Sequence, residues 1–220
     1  MRKVAAEFVG TAFLLAAVVG SGIMGERLAG GSAAIMLLAN TLATGAALVA
    51  LILTFGPISG AHFNPAVSIY YAANGGISWS EAALYSLAQI CGGLFGVGIA
   101  NLMFDLPVFF ASTKMRTGAS QWLGEFVATF GLVGVIALCS RLQGAVVMPF
   151  AVAAYITAAY WFTSSTSFAN PAITIARAFS DTFVGIRPVD APGFIVAQLI
   201  GAFTAIIFFR WLVAGREARR

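Results

Sequence analysis

Two copies of the tripeptide Asn-Pro-Ala are the residues of this sequence with the clearest chemical meaning, and they stand at Asn64-Pro65-Ala66 and Asn170-Pro171-Ala172. Asparagine is among the most favoured N-cap residues of helices, and proline is favoured at the first helical position because an N–H there would have no partner. Each tripeptide therefore predicts the start of a helix. The amide of each asparagine could donate a hydrogen bond to the oxygen of a small solute.

Both predicted helices lie in short apolar runs of 10 residues, 64–73 and 170–179. At 1.5 Å per residue such a run covers about 15 Å, which is half the hydrocarbon core of a bilayer. Asn74-Gly75-Gly76 is a favourable stop for the first helix. Short apolar runs can also be ordinary core helices or surface segments, but here we interpret them as half-helices that enter a membrane without crossing it.

The composition requires a membrane around these elements. Hydrophobic residues make up 60% of the 220 residues, charged residues only 9%, and the mean hydropathy is +0.93, whereas soluble domains carry about a quarter charged residues. This excludes a secreted protein, a cytosolic enzyme and a nucleic-acid binder. Six stretches are long enough to span a bilayer: Val4–Met24, Ala33–Phe55, Glu81–Met103, Gln121–Ser140, Ala145–Phe162 and Pro192–Val213.

The chain repeats itself once, through three collinear matches at separations of 118, 106 and 109 residues. The matched pairs are 6–11 with 124–129, 63–67 with 169–173, and 88–93 with 197–201. Each half holds three spanning stretches, and because three is odd, the halves must have opposite orientations. We therefore expect one all-α membrane domain over residues 1–220, with six transmembrane helices, two re-entrant half-helices, and inverted repeats at about 1–110 and 118–220.

The backbone before each asparagine must be buried or line water, because lipid cannot satisfy its polar groups. When the inverted halves fold together, the half-helix starts meet at the midplane, and their positive ends oppose the entry of cations. Loop carbonyls then offer acceptors to small uncharged solutes. The residues predicted to line this path beside the two tripeptides are Gly60, Ala61, His62, Phe63, Thr166, Phe168 and Ala169.

On these motifs the sequence resembles the aquaporin and glycerol-facilitator family, the major intrinsic proteins. The resemblance runs from Val4 to Val213 and rests on 62–67, on the second tripeptide and on two residue pairs, Glu7 with Glu125 and Gln89 with Gln198. It implies a right-handed bundle, homotetramers with one pore per protomer, and passive conduction. It also implies that the two glutamates, with the glutamines, support the re-entrant loops through hydrogen bonds.

The family's narrowest point is formed by four positions, and counting from the asparagines places them at Thr44, Ala158, Ser167 and Ile173. Water-selective members usually have an aromatic residue, a histidine, a small residue and an arginine there, and glycerol-type members keep the arginine. The present residues predict an atypical, bacterial-type member with a wide, weakly polar and arginine-free constriction. Such a constriction should discriminate weakly by size.

Two charged or titratable residues near the path have two interpretations each. Arg177 lies four residues after Ile173, on the same face of the half-helix, and it either supplies positive potential at the outer mouth or pairs with Asp181. His62 either lines or gates the pore or anchors the loop, and we favour the pore-lining role.

The function predicted from these features is a passive channel for water, glycerol-like polyols and, by resemblance to bacterial members with altered constrictions, neutral metalloid hydroxides such as arsenite. The alternative is a secondary transporter coupled to protons or sodium through Glu7 and Glu125, since ionisable groups inside spans are often functional. An intramembrane enzyme is disfavoured because the chain has a single histidine, and we expect no catalytic, metal or cofactor site.

The distribution of basic residues predicts the orientation in a bacterial inner membrane. With both termini cytoplasmic, seven basic residues fall inside and five outside, a bias in the expected direction. The inside set is Arg2, Lys3, Arg141, Arg210, Arg216, Arg219 and Arg220; the outside set is Arg27, Lys114, Arg116, Arg177 and Arg187.

Overall fold

The computed structural model describes residues 1–142 and 146–217, with side chains described at 1–140 and 146–214. The described residues form helices only, without strands. In chain order they are α1 (Arg2–Leu28), α2 (Ala33–Ser59), α3 (Pro65–Ala73), α4 (Trp79–Met103), α5 (Ala119–Leu142), α6 (Met148–Phe162), α7 (Pro171–Arg177) and α8 (Ala191–Glu217).

Five of the described helices, α1, α2, α4, α5 and α8, are long and apolar enough to cross a bilayer. The sixth predicted span, Ala145–Phe162, corresponds to α6, which has 15 residues and begins at Met148; Ala145 lies outside the described residues. The first predicted span was also too short, because α1 continues through polar residues to Leu28.

The second span differs from its prediction at a proline. The predicted span stops at Phe55, but α2 continues past Pro57 to Ser59 and ends where Gly60 adopts a φ of +91°. Proline removes one hydrogen bond from a helix but does not always end it, and a residue with left-handed φ is a common helix terminus.

Close helix contacts in the two halves rest on small residues. A Cβ atom added to Gly92 or Gly96 of α4 would lie 2.2 or 2.1 Å from the backbone oxygen of Phe8 or Ala12 in α1. In the second half, a Cβ atom on Gly201 of α8 would lie 2.6 Å from the backbone oxygen of Phe126 in α5. Small residues therefore let the backbones approach, as is usual between membrane helices.

The half-helices α3 and α7 have 9 and 7 residues. Both start at the proline, as predicted, and α7 ends two residues before the predicted Phe179. The end of α3 leads into α4, whose Glu81 is bonded to Lys3 near the start of α1. The end of α7 lies near the other end of α1, where Glu26 accepts a hydrogen bond from the backbone of Phe183.

The two half-helices therefore point to opposite ends of the bundle, because α1 has 27 residues and is about 40 Å long. We call these the α3 end and the α7 end.

Candidate functional site

The two asparagines of the tripeptides cap the half-helices. Asn64 Oδ1 accepts a hydrogen bond from the N–H of Ala66 at 2.9 Å, and Asn170 Oδ1 accepts one from Ala172 at 3.0 Å. Both asparagines have extended backbone, as N-cap residues do. The tripeptides therefore form helix starts for the reason that their residue types suggested.

The same two asparagines link the halves. Asn64 Nδ2 donates to the carbonyl of Ala169, and Asn170 Nδ2 donates to the carbonyl of Phe63, each at 2.8 Å. The expectation of free amides therefore needs correction, because one N–H of each amide group is used in the link. A side-chain amide has two N–H donors, so each asparagine keeps one for another partner.

The loops before the asparagines have the same backbone shape. At three equivalent pairs of positions both loops adopt positive φ, which non-glycine residues rarely do. The pairs are Gly60 with Thr166 (+91° and +60°), Ala61 with Ser167 (+50° and +49°), and Phe63 with Ala169 (+49° and +48°).

A buried carboxylate holds the first loop in this shape. Glu7 is fully buried, and its oxygens accept hydrogen bonds from the backbone N–H groups of His62 at 2.9 Å and Phe63 at 2.7 Å. The same carboxylate also accepts hydrogen bonds from Ser59 Oγ at 2.6 Å and Gln89 Nε2 at 2.8 Å.

Glu125 does the same for the second loop. It accepts hydrogen bonds from the N–H groups of Phe168 and Ala169, each at 2.8 Å, and from Gln198 Nε2 at 2.6 Å. Gln198 also donates to Thr174 Oγ1 at 2.8 Å. The contacts of both glutamates are those that a loop-supporting role requires.

A cavity runs along the meeting point of the half-helices, with a volume of about 80 Å³. This volume has room for several water molecules, since each needs roughly 10–15 Å³. Its lining extends from Tyr71 at the α3 end to Arg177 at the α7 end. Among the described residues that line it, none is Asp, Glu or Lys.

Most of the predicted path residues line this cavity. They are Thr44, Gly60, Ala61, His62, Phe63, Asn64, Ser167, Phe168, Ala169, Asn170, Ile173 and Arg177. Of each tripeptide, only the asparagine is in the lining; the four residues Pro65, Ala66, Pro171 and Ala172 are buried in the packing around it. Thr166 is also outside the lining, and its hydroxyl accepts a hydrogen bond from Arg116.

The position assigned to Ala158 was wrong. Ala158 is exposed on the outside of α6, whereas Val152, Ile156 and Tyr160 of the same helix line the cavity. Residues four apart share a helix face, and Ala158 lies two from Ile156 and two from Tyr160. Tyr160 OH lies 3.3 Å from Thr44 Oγ1, so an aromatic residue is present at the cavity after all.

Of the two interpretations of Arg177, the structure supports the one in which its side chain lies at the cavity. It is 1% exposed, its Nε donates to the carbonyl of Val184, and its guanidinium carbon lies 3.4 Å from the ring centroid of Phe168. Asp181 instead accepts hydrogen bonds from Thr113, at 2.8 Å from N and 3.1 Å from Oγ1. The cavity is therefore not free of arginine, although Ile173 occupies the motif position.

His62 lines the cavity at the α3 end, at the position that corresponds to Phe168 in the repeat. Its ring stacks on Tyr71 at a centroid distance of 4.4 Å, and its Nδ1 lies 3.1 Å from Ser68 Oγ. His62 thus both lines the cavity and is anchored, so the two interpretations describe one arrangement.

Sequence analysis missed Tyr71 and Tyr160. Tyr71 and Arg177 each stand seven residues after a motif asparagine, so the internal repeat contained a signal for the first. Tyr160 lies four residues after Ile156 and eight after Val152, on the face of α6 that the structure turns toward the cavity.

Comparisons with known proteins agree with this geometry. The model of the Major intrinsic protein family matches residues 1–143. The chain is 53% identical over 212 residues to "Aquaglyceroporin AqpS" of Rhizobium meliloti (strain 1021), covering 96% of this chain and 90% of that protein. It is 30% identical to "Probable aquaporin NIP-type" of Nicotiana alata, covering 92% and 76%.

A solved structure shares the fold. The chain aligns with the X-ray structure of the aquaglyceroporin from Plasmodium falciparum with a TM-score of 0.73, 22% identity and 94% coverage of both chains. At this identity the likeness shows the aquaporin fold, with its six spanning helices and two half-helices.

Proposed function

The chain belongs to the major intrinsic protein family, and we propose that its cavity is the path by which small uncharged solutes, with water and glycerol foremost, cross the membrane passively. The chain is an integral membrane protein, as its five long apolar helices and its family indicate. The family consists of channels, and this chain keeps the family's paired asparagines and paired glutamates.

The observation that carries the proposal is the composition of the cavity wall. The lining includes both motif asparagines and residues of both loops, and its only side chain with a permanent charge, among those described, is Arg177. A fixed positive charge repels cations, while amide, hydroxyl and carbonyl groups replace the hydration of a neutral solute. The wall therefore suits neutral molecules that carry hydroxyl groups.

The α7 end of the cavity favours solutes larger than water. Ser167 and Thr44 are small, and the hydroxyl oxygen of Ser167 has no hydrogen-bond partner among the described residues. Ile156 and Ile173 line the same cavity with apolar surface. Hydroxyls beside apolar surface match polyols, and we extend the proposal to neutral metalloid hydroxides, whose hydroxyl groups present the same chemistry.

Proton- or sodium-coupled transport through Glu7 and Glu125 remains the competing function. Each carboxylate accepts hydrogen bonds from two backbone N–H groups of its loop and from a neighbouring glutamine, and neither glutamate is among the described residues that line the cavity. A coupling carboxylate must exchange its proton or ion with a water-filled path. The geometry therefore favours the channel.

The proposed assembly rests on the family membership, and the proposed orientation rests on the distribution of basic residues. We propose a single domain of inverted repeats at about 1–110 and 118–220, and a homotetramer with one pore per protomer. We also propose a bacterial inner membrane with both termini cytoplasmic, so that the α3 end faces the cytoplasm. The rhizobial relative supports the bacterial setting.

Stopped-flow measurements on proteoliposomes test the proposal. The full chain is reconstituted, and the permeabilities of water, glycerol, larger polyols and arsenous acid are measured with and without an imposed proton or sodium gradient. We expect water and glycerol permeabilities above those of empty liposomes, with no dependence on either gradient. Accumulation of solute against its own gradient would establish the transporter instead.

A further inference from the structure

Arg116 lies in the segment between α4 and α5 and is inserted under the second re-entrant loop. It is 8% exposed. Its Nη1 lies 3.3 Å from the carbonyl of Ser165 and 3.4 Å from Thr166 Oγ1, and its guanidinium carbon lies 5.1 Å from the ring centroid of Phe168. The side chain therefore contacts the residues on both sides of Ser167.

The other nitrogens of Arg116 fix it to the segment after α7. Nε donates to the carbonyl of Gly185 at 2.8 Å, and Nη2 lies 3.3 Å from the carbonyl of Phe183. Its backbone N–H donates to Asp190 Oδ2 at 2.9 Å. A guanidinium group can make such bonds in several directions at once because its donors are planar and fixed, which a lysine cannot reproduce.

The loop that Arg116 contacts needs support more than its counterpart does. Thr166 has a φ of +60° where the first loop has Gly60, and a residue with a side chain pays in strain for that conformation. Ser167, which follows, also has positive φ and lines the cavity, and its hydroxyl has no hydrogen-bond partner among the described residues. The direction of this hydroxyl therefore depends on the backbone of the loop, which Arg116 holds in place.

We propose that Arg116 is a positioning residue for solute selection, which acts by fixing Thr166 and Phe168 so that Ser167 and Arg177 keep their places in the cavity wall. The inference rests on the proposed function, since it assigns the selectivity of that same path. Arg116 itself does not line the cavity. Arg116 acts by fixing the geometry of the loop, and a positive charge at this position is not sufficient to fix it.

The test is the ratio of glycerol to water permeability in proteoliposomes that contain the full-length Arg116→Lys or Arg116→Gln variant. A role in folding alone would reduce the number of channels and lower both permeabilities together, leaving their ratio unchanged. We expect both variants to change the ratio by about threefold or more, in the same direction.

The matched control is Arg27→Gln. Arg27 also donates to a backbone carbonyl and also lies over a phenylalanine ring, Phe104, at 5.0 Å. It stands at the end of α1, and its hydrogen bond and ring contact among the described residues are both with Phe104 and not with a re-entrant loop, so its substitution should leave the ratio unchanged.

The strained threonine provides a second test. In a Thr166→Gly background the loop can hold its shape without Arg116, so Arg116→Gln should change the ratio less there than in the native background. If Arg116→Gln alone does not reach the membrane, the double variant should restore insertion and conduction.

Four results would overturn the inference: an unchanged ratio in both Arg116 variants, a native ratio in Arg116→Lys with a changed ratio in Arg116→Gln, an equal change in Arg27→Gln, or no rescue by Thr166→Gly. These results differ from a failure of the proposed function, in which the native protein itself would conduct neither water nor glycerol.

Discussion

The two re-entrant loops have the same backbone conformation but carry different side chains. In each, a buried glutamate accepts two backbone N–H groups, and a glutamine binds both that glutamate and a hydroxyl four residues after the asparagine. In each, the residue seven positions after the asparagine packs on the ring of the residue two positions before the same asparagine. These contacts are Tyr71 on His62 and Arg177 on Phe168.

The side chains on this common backbone make the ends of the cavity different. The α3 end has two stacked aromatic rings, and the first loop relaxes its backbone with Gly60. The α7 end has a buried arginine, and the second loop carries Thr166 at the equivalent position, with Arg116 against it. The repeated hydrogen bonds therefore set the shape of the path, while the unrepeated side chains set its chemistry.

The largest expected effect is the loss of stability when either buried glutamate is replaced. In Glu7→Gln and Glu125→Gln, the new NH₂ group faces N–H donors, so buried backbone groups lose an acceptor. At about 1–3 kcal/mol for each unsatisfied group, each variant should lose roughly 2–4 kcal/mol of stability. Thermal unfolding in detergent measures this. A shift in one variant but not in the other would show that the two loops are not supported in the same way.

The next largest effect distinguishes the two loops at Gly60 and Thr166, the first position of each loop that has positive φ. Gly60→Thr should cost about 1–3 kcal/mol, because a Cβ atom there would also lie 3.0 Å from Nε2 of His62. Thr166→Gly should change the stability by less than about 1 kcal/mol, since the relief of strain offsets the lost contact with Arg116. Thermal unfolding of both variants checks this, and equal losses would contradict the expected offset, because the contact with Arg116 would then outweigh the strain of the threonine.

A substitution in the cavity wall tests the chemistry of the α7 end. Ile173→Arg places a second guanidinium beside Arg177 and narrows the path, so glycerol permeability should fall about tenfold and water permeability much less. Ile173→Leu keeps volume and polarity and is the control. Stopped-flow ratios measure the effect, and unchanged glycerol permeability in the arginine variant would show that Ile173 does not face the solute.

The smallest effect concerns the anchor of Arg116. The hydrogen bond from the side chain of Arg187, together with that from the backbone of Arg116, holds the pKa of Asp190 below its usual 3.8, against the opposing effect of burial. Because the pKa is lower in the folded protein, its stabilisation is complete above about pH 4 and is lost as the pH falls through the lowered pKa.

Asp190→Asn should therefore abolish a small acid-dependent loss of melting temperature that the native protein shows below about pH 4. Melting curves between pH 3 and 7 measure it. Identical pH dependence in the two proteins would mean that this carboxylate does not contribute to holding the loop segment.

The sequence allowed much of the fold to be predicted, because its determinants are local. Composition predicted the membrane spans and the Asn-Pro pairs predicted both half-helix starts, whereas Thr44, Ser167 and Ile173 were placed at the cavity through the family resemblance, by counting from the two asparagines. Helix ends were less accurate, since polar residues at the membrane surface continue α1 and α8 beyond the apolar stretch.

The residues that counting misplaced depend on the rotation of a helix or on tertiary contacts. Ala158 was wrong by two positions, which turns a residue to the opposite side of α6. Arg116 lies in a loop without any pattern, and only the fold brings it to Thr166 and Phe168. The choice between the two interpretations of Arg177 required knowledge of a tertiary contact, because its guanidinium group lies on the ring of Phe168.

Thiol accessibility tests the central claim, that the cavity is the solute path, most directly. In a background without Cys91 and Cys139, Ile156→Cys places a thiol in the cavity lining, and Ala158→Cys places one on the exposed side of the same helix. A membrane-impermeant mercurial should block glycerol flux in the first variant and leave it unchanged in the second. Block in the second variant alone, or in neither, would contradict the account.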